Sequence, residues 1–147
     1  MQIGGDFAVA AADRLEELAG KNRELARMVE ACRAWIALQA QQVAACNALH
    51  AADRRLCRWL FHNAQKMETT TLQATQDTIG SLLGIRRTTV TLLAQQLQTQ
   101  GLIDYARGKI VVRDLAKLKA AACECCGSLG PARWPATQLG ARESATS

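Results

Sequence analysis

The chain has 147 residues, of which 49% are apolar, 21% charged and only 4% aromatic, and it carries a net charge of +5. That length holds one ordinary domain, or one domain with an arm. No run approaches the roughly 18 apolar residues of a membrane-spanning helix, no leader pattern stands at the start, and the mild positive charge agrees with a polyanionic partner without requiring one.

The first periodic segment lies between residues 25 and 49. Leu25, Met28, Cys32, Trp35, Gln39, Gln42, Cys46 and Leu49 alternate at spacings of three and four, and Val29, Ile36 and Val43 thicken the seam. Gln39 and Gln42 weaken the stripe but can fix its register, as buried polar positions do in coiled coils. A helix of about 27 residues is about 40 Å long, more than a single domain of this size covers. Residues 21–50 are therefore expected to form a dimerisation helix through Leu25, Met28, Val29, Cys32, Trp35, Ile36, Gln39, Val43 and Cys46. A core helix packed within one chain shares the pattern.

An amphipathic helix is expected over residues 53–66, with Leu56, Trp59, Leu60 and Ala64 facing inward. His50 and His62 have no partner at metal-ligand spacing and read as structural or solvated. The β-branched stretch at residues 68–72 reads as a short extended link.

Residues 75–97, TQDTIGSLLGIRRTTVTLLAQQL, read as a helix-turn-helix. Thr75 is a good N-cap, and Asp77 falls in the first turn, where its charge suits the helix N-terminus. Ile79, Leu82 and Leu83 make one apolar face. Gly80 is expected where the second helix crosses, with no room for a side chain larger than a methyl. Gly84 stands at the turn, where positive φ costs glycine nothing. Ile85 plugs the turn, and Val90, Leu93, Ala94 and Leu97 continue the apolar stripe. Arg86, Arg87, Thr88, Thr91, Leu92 and Gln95 remain on the opposite face, free for a groove, with Thr75 and Gln76 at the start of the first helix. Helical hairpins that bind no DNA share this pattern.

After Gly101, residues 102–105 and 109–112 alternate on either side of Arg107-Gly108, a short β-hairpin signal. A recognition helix followed by a hairpin is the winged form of the motif. Arg107 and Lys109 at the tip are candidates for backbone phosphates, or an ordinary solvated turn.

Six cysteines are present. Cys32, Cys46 and Cys57 lie on or near apolar helix faces, where small buried thiols are usual. Cys123, Cys125 and Cys126 form CECC, which invites metal binding or oxidant sensing. A tetrahedral site wants about four ligands, and no histidine or second cysteine pair stands nearby in sequence, so no metal or cofactor is expected. Residues 127–147 hold both prolines among Gly, Ala and Ser and read as a flexible tail. No catalytic triad or phosphate-cradling loop is visible, so the chain is not read as an enzyme.

The segment from about Asn47 to Cys126 resembles the C-terminal DNA-binding domain of the Crp/Fnr regulators. The residues that carry the likeness are Asn47, Arg55-Leu56, TQDTIGSLLGIRRTTVTLLAQQLQTQGLI and RGKIVVRDLAKL. GIRRTTVT, GLIDYARGKI and ACEC resemble one subgroup more than the cyclic-AMP-responsive founder. The resemblance implies a mainly α fold: a winged helix-turn-helix with a small β-hairpin wing over residues 51–126, preceded by the dimerisation helix. By position it makes Arg87 the counterpart of the family's first base-reading arginine and Thr89 a phosphate contact. Thr88 stands where the founder has a base-reading glutamate and Leu92 where it has a second base-reading arginine, which implies a different operator. Arg86 could serve a base edge or a phosphate.

Residues 1–20 resemble the last strand and connecting helix of the family's nucleotide-binding β-roll, the rest of which has no counterpart here. A fragment and a regulator working without a ligand domain fit equally. The expectation is a cytoplasmic bacterial transcription regulator, bound as a homodimer to an inverted repeat in double-stranded DNA, with RNA polymerase as a further candidate partner. The alternatives are a helix that pairs with a full-length relative, and a thiol or metal sensor built on residues 123–126.

Overall fold

Residues 9–127 are described by the structure, a computed structural model, and they fall into two compact units that divide after Gln41. The beginning of the β-roll-like stretch and nearly all of the expected tail lie outside the described residues.

In the first unit, helix α1 (Ala12–Lys21) buries no side chain. Asn22 ends it and opens helix α2 (Arg23–Leu49), because its Oδ1 accepts from the backbone N–H groups of Glu24 and Leu25, both at 3.0 Å. Arg33 and Glu16 join the two helices by an exposed ion pair at 3.2 Å. The heptad pattern thus does mark one unbroken helix, of 27 residues. Part of its apolar stripe is uncovered within the chain: Ile36 is 64% exposed, and Met28 and Val43 are each 38% exposed. Leu25, Val29, Cys32, Trp35 and Gln39 are half-buried.

The second unit begins with the end of α2 and continues into helix α3 (Ala52–Lys66). Leu56, Leu60 and Ala64 are buried as their spacing requires, with Cys57 and Phe61 beside them, while Trp59 packs partly on the core. Strand β1 (Thr71–Gln73), helix α4 (Gln76–Leu83), helix α5 (Arg87–Thr99), strands β2 (Ile103–Ala106) and β3 (Lys109–Val112) and helix α6 (Leu115–Ala121) follow. A single turn of 3₁₀ helix (Glu124–Gly127) closes the described chain. The core is built from Leu56, Leu60, Leu72, Ile79, Val90, Ile103, Ile110 and Leu118.

The sheet is antiparallel in the order β1-β3-β2. The expected link at residues 68–72 supplies its third strand, with Leu72 opposite Ile110 and Thr71 opposite Val111. Burying Leu72 completely pulls those residues onto the open edge of β3 and satisfies backbone groups there. Helix α6 packs on α3 and is capped by Asp114, whose carboxylate accepts from the Lys117 N–H at 2.9 Å. The fold is a mainly helical winged helix-turn-helix with a small sheet.

Candidate nucleic-acid interface

The geometry of the motif follows from two glycines. A Cβ on Gly80 would lie 2.8 Å from the Ile85 carbonyl oxygen and 3.7 Å from a Val90 methyl. Even a methyl is excluded there, a tighter limit than the sequence suggests, and the obstacle is backbone rather than a movable side chain. Gly84 ends α4 at φ 62°, the left-handed conformation that glycine adopts without steric cost. Thr75 caps the front of α4 by accepting from the Thr78 N–H at 3.1 Å.

Ile79 and Leu83 are buried, but Leu82 is 37% exposed, contrary to its place in the expected apolar face. The crossing centres on Gly80. Leu82 sits about 100° round the helix from Leu83, on the side away from that glycine.

Arg55 holds the turn from behind. Its nearly buried guanidinium donates from Nη1 to the Leu83 carbonyl at 2.7 Å and to Asn47 Oδ1 at 2.8 Å. The Leu83 carbonyl is one that the end of α4 leaves without a helical donor, so one side chain of α3 ties that end to the last turn of α2. The role is invisible in the sequence, because Leu83 stands 28 positions from Arg55.

Helix α5 buries Val90, Ala94 and Leu97 and presents the opposite face. Arg86, Arg87, Thr88 and Gln95 are exposed, Leu92 is 61% exposed, and Thr89 and Thr91 are half-buried. No side chain caps the first turn of α5, which leaves its backbone N–H groups to other partners. Thr91 donates to Gln76 Oε1 at 2.8 Å, fixing the two helices to each other. Arg87 lies 3.4 Å from Asp77 in an exposed pair.

The wing joins this surface. Arg107 and Gly108, at φ 49° and 78°, form a tight two-residue turn with both central residues at positive φ, and Ala106 pairs with Lys109. Arg107 is exposed, and so is Lys109. Thr75, Gln76, Asp77, Arg87, Tyr105 and Arg107 line one open cleft between helix and wing. Tyr105 and Asp77 are its unanticipated members. Burial pushes the Tyr105 phenol up, and its hydroxyl donates to the Ala74 carbonyl at 3.4 Å, steadying the base of the wing.

Two expectations are corrected. Cys46, assigned to the dimer seam, is fully buried beside His50, Cys123 and Cys125 and has no surface to offer a second copy. His50, read as structural or solvated with no partner at metal-ligand spacing, lies 3.0 Å from the carboxylate of Glu124, 74 positions away, and beside three cysteine sulfurs. Cys126 leaves the CECC trio for the core.

Residues 54–121 match the Crp-like helix-turn-helix domain family. Among curated proteins none matches the chain. FixK2 from Bradyrhizobium japonicum is 23% identical, superposes with a TM-score of 0.71, and covers 76% of this chain and 58% of its own. A Crp/Fnr-family transcriptional regulator from Eubacterium rectale is 22% identical, with a TM-score of 0.61 over 75% of this chain and 51% of its own. A CRP-family regulator from Thermus thermophilus is 22% identical, with a TM-score of 0.51 over 56% and 45% respectively. The chain thus spans about half the length of these relatives. The protein carries a Crp-like helix-turn-helix domain at residues 54–121, on a fold shared with the Crp/Fnr regulators.

Proposed function

We propose that the chain is a DNA-binding transcription regulator, not an enzyme, and that it acts as a homodimer on an inverted-repeat operator. The observation that carries this reading is the free outer face of α5, with Arg86, Arg87, Thr88, Leu92 and Gln95 exposed beside the wing of a Crp-like domain. A hairpin serving only as packing would have that face covered. Residues 51–126 bind DNA in this reading and residues 21–50 dimerise, since the α2 stripe at Met28, Ile36 and Val43 is uncovered within the chain.

Arg87 pairs bidentately with guanine, worth about 1–3 kcal/mol of discrimination, and Leu92 offers apolar contact to a thymine methyl. Arg107, Lys109 and Thr89 meet phosphates, which position the domain and make affinity salt-sensitive. Two recognition helices about 34 Å apart enter successive major grooves. Such a regulator works with the chromosome in the cytoplasm, and an activating role would add a contact with RNA polymerase.

Selection from random-sequence duplexes tests the reading. An enriched inverted repeat with half-sites about one helical turn apart is expected; enrichment of a single unrepeated site would remove the dimer, and no enrichment would remove sequence-specific binding.

A further inference from the structure

The end of α2 and the segment after α6 meet in a cluster that the DNA-binding surface does not use. Cys46 lies in the last turn of α2 and His50 just past it, one turn further on. Cys123 and Cys125 come from the other segment, where the Cys126 N–H donates to the Cys123 carbonyl at 2.9 Å and tightens the chain into a 3₁₀ turn. The three sulfurs and one ring nitrogen all lie within 4.8 Å of one another. Cys125 Sγ is 3.8 Å from His50 Nδ1.

We propose that Cys46, His50, Cys123 and Cys125 form a tetrahedral Cys₃His site for one divalent cation of the zinc class. Zinc bonds of about 2.3 Å to sulfur and about 2.0–2.1 Å to nitrogen place ligand atoms about 3.5–3.8 Å apart, so the four need move by only about an ångström. An iron–sulfur cluster needs its cysteines spread over several metal atoms, which this compact set does not offer.

The surroundings support the assignment. The far nitrogen of His50, Nε2, lies 3.0 Å from Glu124 Oε1. That carboxylate holds the ring so that Nδ1 turns to the sulfurs, the arrangement by which metal-bound histidines are oriented. Cys46 and Cys123 are 0% and 1% exposed, while His50 and Cys125 are half-buried, giving a closed inner half with an entry side. Metal binding would displace three thiol protons to solvent, leaving a net single negative charge on the site with neutral histidine. With four protein ligands the ion has no open position, so the role is structural: it clamps the last turn of α2 to the chain that leaves α6.

The test uses the full chain, purified with reductant, stripped of metal and titrated with zinc and with cobalt as its spectroscopic stand-in. One ion per chain is expected, with thiolate-to-cobalt charge transfer and the strong visible bands of tetrahedral cobalt. His50→Ala and Cys125→Ser should each weaken binding at least about tenfold, and Glu124→Gln about 10–100-fold. Cys32→Ser and Cys126→Ala should bind as the parent does, which separates this set from the contiguous cysteine trio. Should His50→Ala fail to fold, His50→Cys keeps four ligands and should bind one cobalt with a four-thiolate spectrum. A chain that takes up no stoichiometric zinc, holds more than one iron, locks Cys46 to Cys123 as a disulfide under reductant, or binds unchanged in the His50→Ala variant overturns the proposal.

Discussion

Gly80 and Gly84 do different work, and substitution should separate them. Alanine at Gly80 drives a methyl into the Ile85 carbonyl, 2.8 Å away; a cost of about 1–3 kcal/mol is expected from overpacking. Alanine at Gly84 meets only Asn47 Nδ2, in ordinary contact at 4.0 Å, but must hold φ near 62°, which costs about 1–2 kcal/mol, and asparagine there should cost less. Urea unfolding of the three variants measures both, and an unaffected Gly80→Ala would mean that the helices cross elsewhere. These positions were legible in the sequence because glycines with apolar residues at fixed offsets encode a local crossing. The place of Cys46 was not, because heptad spacing cannot distinguish a residue facing a second chain from one facing Cys123, far along the same chain. His62 was read only as structural or solvated; burial first, then nearby Arg58 and Lys66, push its pKa down to about 4. The unfolded chain therefore binds the extra proton first, so stability due to this group is full above about pH 6.5 and declines as pH falls toward about 4. His50, raised by its bond to Cys46 against the opposing effect of burial, acts in the other direction. The chain should lose stability relative to His62→Leu on acidification across that window; a constant difference would show that His62 charges freely in the fold.

At the scale of elements, the wing and the α4 end make testable demands. Arg107 holds φ 49° at a place that suits asparagine or glycine. Holding a non-glycine residue in that conformation costs stability. Arg107→Gly should raise the urea midpoint and weaken DNA binding with a shallower salt dependence; weaker binding with an unchanged salt slope would count against a phosphate contact. Arg55→Met should lose about 1.5–3 kcal/mol through the charged hydrogen bonds to Leu83 and Asn47, read as a fall in the urea midpoint. The hairpin and the helices α2, α3 and α5 were readable from period and turn residues. Strand β1 and helix α6 were not: three and seven residues are too short to show a period, and each is held by a partner distant in sequence, β3 for one and α3 for the other.

At the scale of the whole molecule, a helix with a partly uncovered apolar stripe precedes a domain with an uncovered polar face. Ile36→Glu places a charge on that stripe, 64% exposed in the single chain, and light scattering should find monomers that bind one half-site weakly. A variant still dimeric would place the interface elsewhere. The exposed Arg87–Asp77 pair contributes little to stability, so breaking it to meet a base would cost Arg87 little. The most direct measurement is the ratio of affinities for a selected duplex and for a scrambled one of equal length, at fixed salt, in the parent and in Arg87→Ala. The ratio should fall about tenfold or more, while affinity for the scrambled duplex is largely kept. An unchanged ratio would mean that α5 does not read the groove.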